Sequence, residues 1–231
     1  MAAPKGAKIA ALFDFDGTII AGYSATALLK EKIKRREMSK QEFLETLNAT
    51  TQYSRGKIGF SGLMTASVKS MKGVAEQSYV DFGEELYEKH IAQKIYPEAR
   101  RLIEAHRQQG HTVAIVSSAT IYQIAPSARD LGIEHVMCSR YQVEDGEFTG
   151  DIVRPLCFGP GKVEAAERLA EQTGADLDRS FFYTDSDDDI ELLERIGKPR
   201  VVNPNRKLAA IAEERNWPVE RFHSRGRATA V

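Results

Sequence analysis

The feature that most limits how this chain can fold is a series of short apolar segments, each of which ends abruptly. The clearest are residues 9–13 (IAALF), 112–116 (TVAIV) and 181–184 (FFYT), with weaker ones at 136–138 and 200–202. Short, continuously apolar runs are typical of strands buried within a parallel sheet. Segments with helical spacing lie between them. The sequence therefore predicts an α/β fold, a doubly wound, Rossmann-like parallel sheet with helices on both faces.

The long segment between the first two predicted strands has a different character. From residue 21 to residue 94 the apolar residues follow helical spacing, and no strand pattern there is convincing. Ser39 followed by Glu42 matches a capping box at the start of one helix. We predict three or four helices that form a separate bundle. The predicted domains are an α/β core of residues 1–20 and 95–231 and an inserted helical module of residues 21–94.

The rest of the chain supplies the other elements of the predicted core. A hairpin is indicated around Asp145 and Gly146, because this pair is favoured in the tightest hairpin turns. The tail after Trp217 is expected to be frayed. Helices are predicted at residues 97–109, 121–131, 163–172, 190–196 and 207–216.

Composition and charge exclude some function classes. Of the 231 residues, 42% are hydrophobic and 28% are charged, which is usual for a globular protein. The formal net charge of -1 gives no sign of a nucleic-acid partner. Residues 30–36 (KEKIKRR) are basic, and we interpret them as a solvated helix face. A small-molecule partner is the better expectation.

Cysteine usage and hydropathy indicate the compartment. Cys138 and Cys157 are too few for a disulfide framework and are expected to be reduced thiols. The start of the chain lacks the apolar core of a signal peptide, and no later segment has the length of a membrane span. We predict a cytoplasmic protein with no stable membrane insertion, as a monomer or a homodimer.

Polar residues follow three of the predicted strands directly. Ligands of open parallel sheets bind outside the carboxyl ends of the strands, so we expect these side chains to converge on one crevice. Lys162, which precedes a helix, is expected to join them. The strand-end residues are Asp14 and Asp16, Ser117 and Ser118, and Asp185 and Asp189.

Two simpler interpretations of these motifs fail on spacing. An EF-hand loop needs a glycine at its sixth position and a glutamate at its twelfth, and neither register around Asp14 supplies both. The segment GPGK, which ends at Lys162, is similar to a P-loop. However, Leu156 replaces the earlier glycine and Val163 replaces the Ser or Thr.

The combination of residues has a chemical logic that no single motif has. A phosphate monoester is doubly charged and repels an anionic nucleophile, so its cleavage depends on positioning and charge neutralisation. Asp14 can attack phosphorus and form an aspartyl phosphate. Asp16 can protonate the leaving oxygen and later take a proton from water.

The remaining residues of the set are suited to neutralising charge. A magnesium ion held by Asp14, the backbone carbonyl of Asp16 and Asp185 would polarise the phosphoryl group. Hydrogen-bond donors are needed for the other phosphoryl oxygens. The expected donors are Ser117, the backbone amide of Ser118 and Lys162.

In this order and spacing, the motifs resemble those of the haloacid dehalogenase superfamily, subfamily IB, and more closely its phosphoserine-phosphatase-like branch. DxDGT begins at Asp14, the serine after a hydrophobic strand is Ser117, the lysine is Lys162, and DxxxD runs from Asp185 to Asp189. The resemblance covers nearly the whole chain. It implies a magnesium-dependent phosphatase in which the helical module is a cap and Asp189 supports the metal.

Two positions depart from the pattern of this branch. Phosphoserine phosphatases usually have a glutamate nine residues after the nucleophile, where it meets the substrate's amino group, and this chain has Tyr23. A neutral side chain there argues against free phosphoserine as the substrate. The residue before the last aspartate of the fourth motif is usually asparagine, and here it is Asp188.

We therefore expect a phosphomonoester hydrolase for a small phosphorylated metabolite or a lysophospholipid-like ester. A phosphoserine phosphatase proper remains an alternative, as does a phosphotransferase that passes the phosphoryl group to an acceptor other than water. A non-catalytic phosphate-binding protein is a third, although a binding protein has no need for Asp16.

Overall fold

The computed structural model describes residues 8–38 and 40–223, without the side chains of Gln41 and Glu42. The predicted capping box of Ser39 and Glu42 lies outside the described residues. In chain order the strands are β1 Ala10–Phe13, β2 Thr112–Thr120, β3 His135–Ser139, β4 Tyr141–Glu144, β5 Glu147–Ile152, β6 Phe181–Thr184, β7 Lys198–Val202 and β8 Val219–Glu220. The α-helices are α1 Ser24–Lys34, α2 Lys40–Ser54, α3 Phe60–Lys69, α4 Glu76–Leu86, α5 Pro97–Gln108, α6 Ile121–Leu131, α7 Pro160–Thr173, α8 Ile190–Arg195 and α9 Arg206–Glu214.

Six of these strands form one parallel sheet. Their order is β3, β2, β1, β6, β7 and β8, and each neighbouring pair is parallel. The predicted α/β class is therefore confirmed. The strand order changes direction at β1, because its neighbours β2 and β6 come from distant parts of the chain. Such a switch opens a crevice at the carboxyl ends of the strands, so residues that follow β1 lie where ligands of this architecture bind.

Helices cover both faces of the sheet, as predicted. Successive side chains of a strand point to opposite faces. Ala11 and Phe13 of β1 belong to a hydrophobic cluster that includes residues of α5 and α6. Ala10 and Leu12 belong to a second cluster with residues of α7, α8 and α9. All four β1 side chains are fully buried, which explains why this segment is continuously apolar.

The segment between β1 and α5 contains helices α1 to α4, followed by a π-helical turn, Tyr87–Ile91, and a 3-10 turn, Ala92–Lys94. The sequence predicts three or four helices there. The β4–β5 hairpin packs against them, because Phe148 of β5 shares a hydrophobic cluster with Val68 of α3. Asp145 and Gly146 at its tip have φ values of +51° and +80°, as a two-residue hairpin turn requires. The division of the chain at residues 20 and 94 stays a prediction.

Two elements differ from the sequence-based expectations. Strand β2 continues past residue 116 to Thr120, with a shift in its pairing with β3 between Ser117 and Thr120. The prediction that the tail after Trp217 is frayed is wrong for residues 218–223. There β8 pairs with β7, and the side-chain amide of Asn203 makes two hydrogen bonds, both of 3.0 Å, with the backbone of Phe222. The ring of Phe222 is buried, so hydrogen bonding and packing together hold this segment.

His106 is a buried residue of α5 that connects this helix to strand β6. The Nε2 atom of His106 lies 2.9 Å from the hydroxyl of Tyr183, and its Nδ1 atom lies 2.8 Å from Nδ1 of His111. Burial, with smaller contributions from the nearby His111, Arg200 and Lys198, lowers the pKa of His106 to about 4. A neutral His106 satisfies both contacts, since Tyr183 can donate to Nε2 while Nδ1 donates to His111.

Among the residues that the structure describes, no helix combines the length and the apolar character needed to cross a membrane.

Candidate active site

Asp14 is the first residue after the central strand β1. Its backbone N–H donates to the carbonyl of Tyr183 on β6 at 2.9 Å, which fixes the residue at the carboxyl edge of the sheet. The residue is 6% exposed, and its Oδ1 atom accepts a hydrogen bond of 2.9 Å from Nζ of Lys162. Within the described part of the chain, Oδ2 has no hydrogen-bond partner. One carboxylate oxygen is thus anchored while the other remains available.

Lys162 joins two of the predicted acidic residues. It lies in the first turn of α7, is 3% exposed, and donates to Asp189 at 2.8 Å as well as to Asp14. Asp189 also accepts a hydrogen bond of 2.6 Å from the Thr184 hydroxyl. Burial alone would lower the pKa of Lys162, but the two carboxylates outweigh it and raise that pKa. Lys162 is therefore a fixed ammonium ion, as charge compensation inside a protein requires.

Asp16 lies in a different environment from Asp14. Burial, with a smaller contribution from the negative charge of Asp14, raises its pKa to a net value of about 7. Two hydrogen bonds from Ser24 oppose this rise, one of 2.7 Å from the backbone N–H and one of 3.0 Å from the hydroxyl. Gln123 donates in turn to the Ser24 hydroxyl at 2.8 Å. The Asp16 carboxyl is thus held in place and can take up or release a proton near neutral pH.

Asp185 follows β6 and approaches the loop after β1. Its Oδ1 atom accepts a hydrogen bond of 3.2 Å from Thr18, and Gly17 passes so close that an added Cβ would lie 2.1 Å from Oδ2. Burial, then the charge of Asp14, raises the pKa of Asp185 to about 7. The carboxylates of Asp14 and Asp185 repel each other at the edge of a buried site, and such a pair of donors suits a divalent cation.

The predicted magnesium ligands are the carboxylates of Asp14 and Asp185 and the backbone carbonyl of Asp16, and all three are oxygen donors of the kind that magnesium binds. No cluster of three or more histidine, cysteine or acidic side chains with metal-binding geometry is present within residues 8–38 and 40–223. A set of two carboxylates and one carbonyl is consistent with that finding, because magnesium usually keeps several water ligands and needs few protein ones.

The two predicted serines lie at the same edge of the sheet. Phe13 pairs with Ile115, so Ser117 lies two residues further along β2, level with the loop that carries Asp16. Ser117 is buried, and its hydroxyl accepts only a long hydrogen bond of 3.4 Å from the backbone of Ala119. Neither serine side chain is hydrogen-bonded to the aspartates in the portion of the chain that is described. Both remain predicted phosphate ligands.

Two tyrosines from the segment between β1 and α5 lie within electrostatic range of the acidic residues. The charge of Asp185, with burial and Asp16, raises the pKa of Tyr23, although the residue is 62% exposed. Burial and the charge of Asp188 raise the pKa of Tyr53. Asp188 is itself exposed.

The same aromatic group connects the helical module to the core. The ring of Phe60, at the start of α3, lies edge-to-face with Tyr53 and stacks on Phe158 with a centroid distance of 4.3 Å. Phe158 belongs to the loop before α7, and α7 carries Lys162. We name Tyr23, Tyr53, Phe60 and Phe158 the aromatic wall.

Sequence reasoning missed the residues that hold the predicted ones in place. Ser24 and Gln123 position Asp16, and Thr184 positions Asp189. Thr18 belongs to the DxDGT motif, so the motif itself could have identified it. The other three had no comparable signal, because their partners are defined only by the folded chain.

Comparisons with known proteins agree with this geometry. The family model described as haloacid dehalogenase-like hydrolase matches residues 11–194. A probable phosphatase of Mycobacterium tuberculosis, Rv3661, is 32% identical over 95% of this chain and 77% of its own. Phosphoserine phosphatase SerB1 of the same organism is 30% identical over 99% of this chain and 75% of its own. A crystal structure of a protein with unknown function from Bordetella pertussis matches with a TM-score of 0.83 and 25% identity, covering 92% of this chain and 98% of that one. The chain therefore belongs to the haloacid dehalogenase-like hydrolases, in their phosphoserine-phosphatase-like branch, and is a phosphatase.

Proposed function

We propose that the protein is a Mg²⁺-dependent phosphomonoester hydrolase that works through an aspartyl phosphate at Asp14. The observation that carries the proposal is the contrast between two neighbouring carboxyl groups. Asp14 is paired with the ammonium ion of Lys162 and has a free oxygen, whereas the pKa of Asp16 is raised to about 7. A site that needs both an anionic nucleophile and a proton donor is expected to place its two carboxyl groups in different electrostatic environments.

The proposed reaction has two halves. In the first, an Asp14 oxygen bonds to phosphorus, the bond to the leaving oxygen breaks, and Asp16 gives that oxygen its proton. In the second, a water oxygen bonds to phosphorus, Asp16 takes a proton from that water, and the bond between phosphorus and Asp14 breaks. The products are an alcohol and inorganic phosphate, and the enzyme returns to its starting protonation.

The other site residues hold charge during both halves. Asp14, the Asp16 carbonyl and Asp185 would hold magnesium, which would neutralise part of the phosphoryl charge. The proposed ligands of the remaining phosphoryl oxygens are Ser117, the Ser118 backbone amide and Lys162. Asp189 supports the metal site indirectly, because its carboxylate accepts hydrogen bonds from Lys162 and Thr184.

The proposed substrate is a small phosphate ester with an uncharged, partly apolar leaving group. By its position nine residues after Asp14, Tyr23 replaces the carboxylate that would bind the amino group of phosphoserine. The other members of the aromatic wall, of which Phe60 stacks on Phe158, would supply flat apolar surface for the leaving group. Aromatic rings bind apolar and planar groups without needing a counter-charge.

The nucleophile is tested by phosphate release from p-nitrophenyl phosphate with and without magnesium. We expect Asp14→Asn to abolish release and to prevent labelling of acid-quenched protein by a ³²P-labelled substrate. The matched control is Asp145→Asn, which removes a carboxylate from the exposed hairpin turn, where asparagine also tolerates the positive φ. Activity or covalent label retained in Asp14→Asn would exclude the aspartyl-phosphate mechanism.

The substrate class is tested by comparing naphthyl phosphate with phosphoserine. Phe60→Ala should lower kcat/KM for naphthyl phosphate by roughly tenfold, the equivalent of one lost aromatic contact. Phe43→Ala removes an exposed ring of α2 and is the control. A preference for phosphoserine in the wild-type enzyme would refute the proposed leaving group and leave the proposed chemistry intact.

A further inference from the structure

A cleft on the α/β core is lined by three arginines and by no acidic residue of the described chain. It has a volume of about 270 Å³ and lies at the edge strand β3, whereas Asp14 follows the central strand β1. Arg140, Arg154 and Arg168 line it, and Cys157 is a buried part of its wall. The three arginines come from separate segments, the loop after β3, the loop after β5 and helix α7, so the fold brings their charges together.

The guanidinium groups of this cleft are free to bind an anion. None of them forms an ion pair with any residue described by the structure, and the Arg154 side chain donates one hydrogen bond, to the hydroxyl of Ser61. Other arginines of the same chain are paired, as Arg129 is with Glu84. Three like charges around one small cleft repel one another, and a bound anion would offset that repulsion.

We propose that this cleft is a second ligand site, which binds a compact phosphate-type oxyanion carrying two or more negative charges. The planar fork of arginine donates paired hydrogen bonds to phosphate oxygens, and three such forks suit an anion with several oxygens. The volume lies just below the range of typical small-molecule pockets, which favours a ligand about as large as pyrophosphate.

The cleft is physically connected to the catalytic edge and to the helical module. Helix α7 lines it with Ala165 and Arg168 and carries Lys162 in its first turn. Arg154 bonds to Ser61, the residue after Phe60 of the aromatic wall. An anion bound in the cleft competes with Ser61 for Arg154 and loosens this contact between module and core. The site is therefore a regulatory site, whose occupancy changes KM for the phosphate ester.

The test is isothermal titration calorimetry with pyrophosphate in the presence of EDTA. Arg140→Gln combined with Arg168→Gln should weaken binding at the cleft by about tenfold or more, since it removes charge-assisted hydrogen bonds. Arg221→Gln is the control, because Arg221 is exposed beyond β8 at the opposite edge of the sheet and should leave binding unchanged. Pyrophosphate that binds only at the catalytic edge would give the same affinity and stoichiometry in all three proteins, which would overturn the proposal.

Further measurements distinguish a loss of anion binding from a loss of stability, and they test whether the preferred ligand is a phosphate. Both substituted side chains are exposed, so the thermal midpoint should not move. If it does, Arg168→Gln alone should still weaken binding, and no weakening in that variant refutes the site. Citrate bound more tightly than pyrophosphate, with the same loss in the double variant, would overturn the assignment to phosphate. Under turnover of p-nitrophenyl phosphate, pyrophosphate should change KM more in the wild type than in the double variant, because only the wild type binds it in the cleft as well as at the catalytic edge. Equal changes of KM in the two proteins would refute the regulatory role.

Discussion

Replacing Lys162 by methionine should destabilise the protein strongly at neutral pH in the absence of metal. The Lys162 side chain is 3% exposed, and its ammonium group donates hydrogen bonds of 2.9 Å to Asp14 and 2.8 Å to Asp189. A hydrogen bond to a charged group contributes about 1.5–3 kcal/mol, and breaking a buried ion pair costs about 3–5 kcal/mol. We therefore expect the free energy of unfolding to fall by about 4 kcal/mol, a large share of the total for a domain of this size. Urea unfolding followed by circular dichroism in EDTA measures the change.

A second substitution isolates the electrostatic cause. Adding Asp189→Asn to Lys162→Met removes one of the two stranded charges, and the asparagine can still accept a hydrogen bond from Thr184. The double variant should therefore be more stable than the sum of the single changes predicts, by about 1.5 kcal/mol or more.

An exposed pair provides the control. Lys207 lies 2.7 Å from Asp187 but is 70% exposed, so Lys207→Met should have a far smaller effect on unfolding. A loss below about 1 kcal/mol in Lys162→Met, or strict additivity with Asp189→Asn, would refute the view that Lys162 compensates two buried charges.

Asp16→Asn should lower kcat/KM, which reports the first half-reaction alone, much more for an alkyl phosphate than for p-nitrophenyl phosphate, since nitrophenolate leaves without a proton; equal losses of kcat/KM on both would exclude Asp16 as the proton donor. Gly17→Ala should remove activity and lower the thermal midpoint, because its φ is +75° and the new Cβ would lie 2.1 Å from Asp185, whereas Gly56→Ala, at a φ of +67° with open space around it, should change only the midpoint. The pKa of His106 is lowered from 6.5 to about 4, so the unfolded chain binds a proton that the folded chain does not, and the free energy of unfolding should fall by up to about 3 kcal/mol as the pH drops through that range. His106→Gln should flatten this dependence in urea titrations at a series of pH values, and an unchanged slope would contradict the prediction.

The residues at the strand ends were predictable because a parallel sheet brings the carboxyl ends of its strands to one edge, independently of the conformation of the loops. Asp14 and Asp185 follow β1 and β6, which are adjacent strands, so their proximity follows from the fold class. Lys162 was predictable only through its order in the motif set. Its position between Asp14 and Asp189 depends on how α7 packs, which no local pattern in the sequence specifies.

The residues that hold the site in place, such as Ser24 and Gln123, were not predictable, because their contacts also depend on how distant parts of the chain pack. Gln123 lies 99 positions from Ser24, and serine and glutamine are common on exposed helix faces, so nothing in the sequence marks their hydrogen bond. Strand β8 was missed because a segment of two residues has no periodicity, and its order depends on pairing with β7 and on the burial of Phe222.

The hydrogen bonds from Ser24 have a consequence for the proposed chemistry of Asp16. Burial alone would push the Asp16 pKa upwards, which would make the carboxyl a poor base for the second half-reaction. Two donors from the start of α1 favour the charged form and oppose that rise, so both protonation states are accessible near neutral pH. Because Ser24 belongs to the helical module and is itself held by Gln123 of the core, the placement of α1 sets this balance. If α1 moved away from the core, Asp16 would lose the two hydrogen bonds from Ser24. The proposed acid and base roles of Asp16 therefore require α1 in this position.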